Sequence, residues 1–299
     1  MPIKNFDEIL ERLKKLDKPK RIVVAAANDE HSLEAVFKAA ADGFVSPVLV
    51  GNKAEISEIL QKLNVSVPDK DIYDVPSPEA AAEKAVALIK EGKGDFLMKG
   101  KLETAQMLRP VVNKETGIGT GKLMSHFTMF EAPYYHKLFL AVDGGMVTYP
   151  DINQKKEIIE NTVGVLHKLG YELPKIGILT AIEKVNPKMP ETLEAEELYK
   201  MGQRGEIKGC IIAGPISLDC AMDSEAAEIK GYNSPVAGDA DVLVVPNIHV
   251  GNAIGKSITV ITKGKMAGFI VGAMVPIILT SRSSSAEEKY LSIALVSAV

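Results

Sequence analysis

The chain has 299 residues and a mass of 32.2 kDa, in the range of ~250–300 residues where single cores stop growing and chains divide in two. Its 46% hydrophobic and 25% charged residues exclude a disordered chain. Against 39 Asp+Glu, 35 Lys+Arg leave a net charge of −4, so no bulk positive field exists to hold nucleic acid or an acidic membrane.

In chain order, short β-rich runs alternate with longer amphipathic ones. Residues 1–20 are charged throughout, with no apolar signal core. Phe6, Ile9, Leu10, Leu13 and Leu16 form a helical stripe. Residues 21–26 (RIVVAA) read as a buried strand, 32–41 as a helix, 47–50 as a strand and 54–63 as a helix. A strand at 72–75, an alanine-rich helix at 78–90 and a strand at 95–99 follow. Strands separated by helices of this length imply βαβ units and a mainly parallel sheet.

Residues 113–122 (NKETGIGTGK) are glycine-rich and polar, a crossing point between domains. The strands expected at 126–131 and 138–143 lie too close for a parallel crossover, so they pair antiparallel. Alternation then resumes: helix 153–169, strand 175–180, helix 191–201, strands 210–213 and 241–245. Residues 258–260, 268–271 and 276–279 are further extended candidates, and 286–298 closes the chain as a helix. The uncharged run 266–281 has 16 residues with Gly268, Gly272 and Pro276 inside. A spanning helix needs about 20 apolar residues, so buried strands fit this run better. Cys210 and Cys220 make neither a disulfide framework nor, by themselves, a zinc site. A cytoplasmic location is the expectation.

Two phosphate-loop look-alikes fail on spacing. Residues 251–257 (GNAIGKS) have Val250 where a Walker loop needs glycine, and 117–121 (GIGTG) is not G-x-G-x-x-G. The histidines His31, His126, His136, His167 and His249 show no i, i+4 pair, and there is no C-x-x-C, so no metal is expected. Arginine is scarce: Arg12, Arg21, Arg109, Arg204 and Arg282 are the only five. Arg12 reads as solvated, Arg21 and Arg204 as structural. Arg282 follows a buried strand whose carboxyl end delivers Ser281-Arg282 and the run Ser283-Ser284-Ser285 before the last helix. Such a point suits a phosphate site, through the planar guanidinium fork and free helix N–H groups; a serine-rich helix cap fits the same residues. Arg109 suits the C-terminal dipole of a helix, although Pro110 after it sits better at a kink.

Residues 98–110 (MKGKLETAQMLRP), 142–150 (VDGGMVTYP), 214–221 (GPISLDCA), 234–238 (SPVAG), 246–252 (PNIHVGN) and 280–282 (TSR) together resemble the phosphate acetyltransferase/butyryltransferase family. The short chain and the wording of 99–110 are nearest its butyryl-transferring branch. The resemblance implies two α/β domains with a cleft between them, on the isopropylmalate/isocitrate dehydrogenase plan. It sets the domains at 1–117 plus 271–299 and at 118–270. The implied reaction is acyl exchange between CoA and inorganic phosphate, butyryl-CoA and phosphate giving butyryl phosphate and CoA. Phosphate acetyl- or propanoyltransfer is the near alternative. A NAD-dependent β-decarboxylating dehydrogenase-like enzyme and a non-catalytic CoA-binding module are the distant ones.

By resemblance Arg109, of the L-R-P motif, and Arg282 hold the phosphate, Ser281 donates to it, and Glu288 stands where the acetyl enzymes have the aspartate proposed to take the thiol proton. Glu287 reads as a first-turn helix carboxylate. No cofactor is implied beyond CoA as substrate. The partners implied are acyl-CoA, phosphate and acyl phosphate, with no nucleic acid and no membrane, and a homo-oligomer is expected.

Overall fold

The computed structural model describes residues 2–15, 17–281 and 284–299. These fall into two compact units. The first holds Asp7–Met124 and Ala267–Ala298; the second holds Ser125–Met266 with the residues up to Phe6 and Val299. Both are of the α/β class read from the alternation.

The chain begins with α1 (Phe6–Leu13), β1 (Lys20–Ala25), α2 (Glu30–Ala41), β2 (Val45–Gly51) and α3 (Lys53–Lys62). It continues with β3 (Ile72–Asp74), α4 (Pro78–Lys90), β4 (Phe96–Lys99) and α5 (Thr104–Val111). The second unit supplies β5 (Ser125–Glu131), β6 (Phe139–Val142), α6 (Ile152–Lys168), β7 (Lys175–Leu179) and α7 (Pro190–Gln203). It goes on with β8 (Ile211–Ile216), α8 (Leu218–Met222), α9 (Ser224–Ile229), β9 (Val242–Val244) and α10 (Ile248–Lys256). The chain then returns through β10 (Lys265–Val271), β11 (Ile277–Ile278) and α11 (Ala286–Ser297).

Helix starts are set locally. Asp29, Asn52, Ser77 and Ser285 each accept a backbone N–H from the first turn of α2, α3, α4 and α11, satisfying donors the helix leaves orphaned. The strands of the first unit lie in the order β3-β2-β1-β4-β11-β10. All neighbours there are parallel except β10 and β11. Strands covered by helices on both faces need continuous apolar runs, and Ile22–Ala25 and Phe96–Met98 are fully buried. In the second unit the order is β5-β6-β9-β7-β8. Only β5 and β6 pair antiparallel there, as the short gap between them requires. Its core gathers Phe130, Phe139, Ile216, Val236 and Leu243, with the two phenylalanine rings 5.7 Å apart.

Two local expectations are corrected. Residues 258–260 are not extended: they lie in a π-helical turn, Ser257–Ile261, that prolongs α10. There Ser257, Thr259 and Thr262 hydroxyls donate to carbonyls four residues back, which overrides the β-branched composition. Pro110 is inside α5 and not at a break, because a proline near the end of an eight-residue helix removes one N–H only. The look-alike at 251–257, excluded by its spacing, lies in helix and turn, and His249 is in the first turn of α10.

Candidate active site

In the first unit a cavity of about 700 Å³ lies at the carboxyl ends of β1, β4 and β11. Strand order reverses there, since the chain leaves β1 towards β2 and β3 and returns to β4 on the other side. Open α/β sheets bind ligands at this switch point. The lining comes from the turn after β1 (Asn28–Ser32), from α3, from the turn after β4 (Lys99–Leu102), from Thr280 and Ser281 after β11, and from Lys289 of α11.

Charge is graded with depth. Glu30, Glu55, Glu58, Lys62 and Lys101 are exposed, and Lys62 pairs with Glu30 at 3.3 Å. Thr280, Lys99 and Lys289 are buried, both lysines at 5% exposure. The Lys289 ammonium donates to Asp29 Oδ2 at 3.4 Å and to Ser32 Oγ at 3.2 Å. Burial pushes the Asp29 carboxyl up, but the Ser32 hydrogen bonds and the Lys289 charge outweigh it and hold it below the ordinary value. Lys99 Nζ is held by the carbonyl oxygens of Leu102 at 3.1 Å and Gly100 at 3.4 Å.

Of the residues expected from the sequence, Ser281 lines this cavity. Glu288 is half-buried in the first turn of α11, its Oε1 accepting from Ser284 Oγ at 2.5 Å. Ser285 Oγ caps the helix by accepting Glu288 N–H at 3.1 Å, so the helix-cap reading of the serine run applies to Ser285. Glu287 is exposed. Arg109 is exposed in the last turn of α5, where its charge acts on Glu79, and it is absent from the cavity lining. Arg282 lies outside the described residues. Lys99 and Lys289 are not singled out by the sequence as site residues. The available signal was a lysine closing an apolar four-residue strand just before a glycine.

The remaining motif segments belong to the second unit. The buried Asp143 carboxylate accepts three backbone N–H groups, from His126 at 2.8 Å and from Gly145 and Met146 at 2.7 Å each. This fixes the turn after β6. A Cβ on Gly251 would fall 2.7 Å from Gly144 Cα, so segments 142–150 and 246–252 meet backbone to backbone. Burial pushes the His126 imidazole down, partly offset by Asp143. In segment 214–221, Ser217 and Asp219 join Glu183 around Lys230, whose Nζ is 2.8 Å from each carboxylate. Among the described residues Glu183, Asp219 and Cys220 bring possible metal donors within 4.8 Å of one another. Lys230 pairs with both carboxylates of that cluster, and its hydrogen bond pulls Asp219 down to about 2.

The family model for phosphate acetyl/butaryl transferase matches residues 5–83 and 77–297 of this chain. The chain is 44% identical over 297 residues to the phosphate butyryltransferase of Clostridium acetobutylicum, covering 99% of this chain and 98% of that one. It is also 44% identical over 278 residues to the phosphate acetyltransferase of Thermotoga maritima, covering 93% and 94%. A solved branched-chain phosphotransacylase from Enterococcus faecalis V583 matches with a TM-score of 0.80 at 33% identity, over 93% of this chain and 99% of that one.

Proposed function

We propose, on the premise that the chain belongs to the phosphate acetyl/butaryl transferase family, that it exchanges a butyryl group between CoA and inorganic phosphate. The chain is a phosphate acyltransferase; butyryl is the acyl group we assign to it. The observation carrying this is the match to a phosphate butyryltransferase at 44% identity along 99% of the chain.

In the acyl-phosphate-forming direction a phosphate oxygen attacks the thioester carbonyl carbon. The new C–O bond forms, the C–S bond breaks, and CoA leaves as a thiolate that takes up a proton. In reverse the thiolate attacks the acyl phosphate. A free thiol near pKa ~8.5 is mostly protonated at neutral pH, so a base is needed. Glu288 is that base in this reading, its carboxylate oriented by Ser284. Ser281, at the cavity, donates to the phosphate. Arg109 and Arg282 hold the phosphate dianion through paired hydrogen bonds. No metal or nicotinamide takes part; acyl-CoA, phosphate and acyl phosphate are the partners. The reading carries with it a cytoplasmic homo-oligomer.

The test is release of thiol from butyryl-CoA on addition of phosphate, run beside acetyl-CoA and propanoyl-CoA, with and without EDTA. The expected result is phosphate-dependent release, insensitive to EDTA and with the highest kcat/KM for butyryl-CoA. Each methylene discriminates by about 1–3 kcal/mol, so the three donors should separate clearly. A higher kcat/KM for acetyl-CoA would replace the acyl group. No phosphate-dependent release from any donor would overturn the reading.

A further inference from the structure

We infer that Lys99 touches the phosphate group of the acyl exchange directly and is a catalytic residue of the cavity; the inference rests on the reaction proposed above. Placing an ammonium where only 5% of the residue meets solvent is costly, and Lys99 does so in the wall of a cavity of about 700 Å³. The position is rigid. Gly100 N–H donates to Ala25 O at 2.8 Å and Lys101 N–H to Ala26 O at 2.9 Å, which ties the turn after β4 to the end of β1. A Cβ at Gly100 would lie 2.2 Å from Ala26 O, so only glycine lets the two backbones approach this closely. The Gly100 and Leu102 carbonyls then aim the ammonium from its own turn.

The surroundings select an anion. Thr280 and Ser281, after the neighbouring strand β11, line the same cavity, and β11 pairs with β4 through Ile278 and Met98. Lys99 thus ends β4 and Ser281 follows the parallel strand beside it, one bringing a cation and the other a hydroxyl donor. The other buried lysine of this cavity, Lys289, has its ammonium on the Asp29 carboxylate and the Ser32 hydroxyl. Its role is to hold the α2 cap against α11. A cation fixed before substrate arrives stabilises both bound phosphate and the charge that spreads over its oxygens during transfer, with no reorganisation at the moment of reaction.

The CoA phosphates offer the same oxyanion chemistry, so the experiment separates the two sources. Purified full-length Lys99→Met, checked for folding by circular dichroism, is assayed for thiol release with phosphate and butyryl-CoA varied in turn. Loss of one charge-assisted contact should raise the phosphate KM about 10- to 100-fold, with the butyryl-CoA KM within about twofold. Phosphate should also protect the wild-type chain against thermal unfolding more than it protects the variant. A raised butyryl-CoA KM with unchanged phosphate KM would assign Lys99 to CoA and overturn the inference. So would an unchanged phosphate KM with a lowered Tm, the mark of a structural lysine. Should Lys99→Met not fold, Lys99→Arg is read in the same way, since it keeps the charge and alters the geometry. Wild-type chain without phosphate-dependent release would refute the reaction itself; an active wild type with an indifferent variant would refute only Lys99.

Discussion

Two buried lysines, one in each unit, end in opposite settings. Lys137 lies just before β6, at the amino ends of the parallel strands of the second unit, with 2% of its side chain exposed. Its ammonium meets Asp241 Oδ1 at 2.6 Å and Asp239 Oδ1 at 2.8 Å. Lys175 and His136 bond to Asp239 as well, and Lys175 N–H donates to Asp241 Oδ2 at 2.7 Å. Lys99 closes β4, at the carboxyl ends of the strands of the first unit, where carbonyl dipoles aim it and a cavity adjoins it. The first arrangement is an ion network closed on itself, which stabilises the start of three strands. The second presents charge at the end of the sheet where ligands bind. Burial of a charge therefore does not distinguish structure from chemistry; the end of the strand and the adjoining space do.

The largest effect that would sharpen this contrast is in the first unit, in the first turn of α11. Glu288→Gln keeps shape and removes the proton acceptor, so kcat should fall about 10²–10⁴-fold with little change in the KM for CoA. Glu287→Gln points roughly 100° away on the same turn and should stay within about twofold of wild type. Sensitivity of Glu287 with an indifferent Glu288 would move the base by one residue.

At the other end, Lys137→Met leaves two carboxylates facing each other in the second unit. Breaking one partner of a buried pair costs about 3–5 kcal/mol, read as a lower denaturant midpoint, while kcat of the folded variant stays near wild type. A loss of kcat without loss of stability would break the contrast. The same variant should respond to acid. Burial pushes Asp239 up, but hydrogen bonds from Lys137, Lys175 and His136 prevail and hold it well below the ordinary carboxylate range. A depressed folded-state pKa adds stability above the unfolded value, lost as pH falls through the folded one. Wild type should therefore resist acid below the usual carboxylate range, and the variant's acid-unfolding midpoint should move up towards it.

The smallest effect concerns Arg109, which is outside the cavity lining. Arg109→Ala should raise the phosphate KM about 10-fold if the arginine reaches phosphate during turnover. An unchanged phosphate KM with a lowered Tm would assign it to the α5 dipole and Glu79, and leave the cavity cation as the phosphate ligand.

Much of this was legible in the order of residues. Period-two and period-3.6 patterns are local, so the βα alternation and the antiparallel pairing of β5 with β6 follow from spacing alone. The exit of Ser281 from a buried strand follows in the same way. Residues 258–260 were misread because β-branched side chains favour strands only when no helix is already running into them; here α10 continues through hydroxyl-to-carbonyl bonds. Family wording marked 98–110 as a site segment, yet it drew attention to Arg109, ten residues after β4, and not to Lys99, which ends that strand. Which charge faces a cavity depends on how β1, β4 and β11 come to lie side by side, and these strands are separated by up to some 250 positions in the chain. The sequence by itself determined the elements, the class and the family, because these rest on local periodicity and residue order. Only the tertiary structure decided that Asp29, Lys99, Ser281 and Lys289 share one cavity, because long-range strand order and the close approach of Gly100 to β1 bring them together.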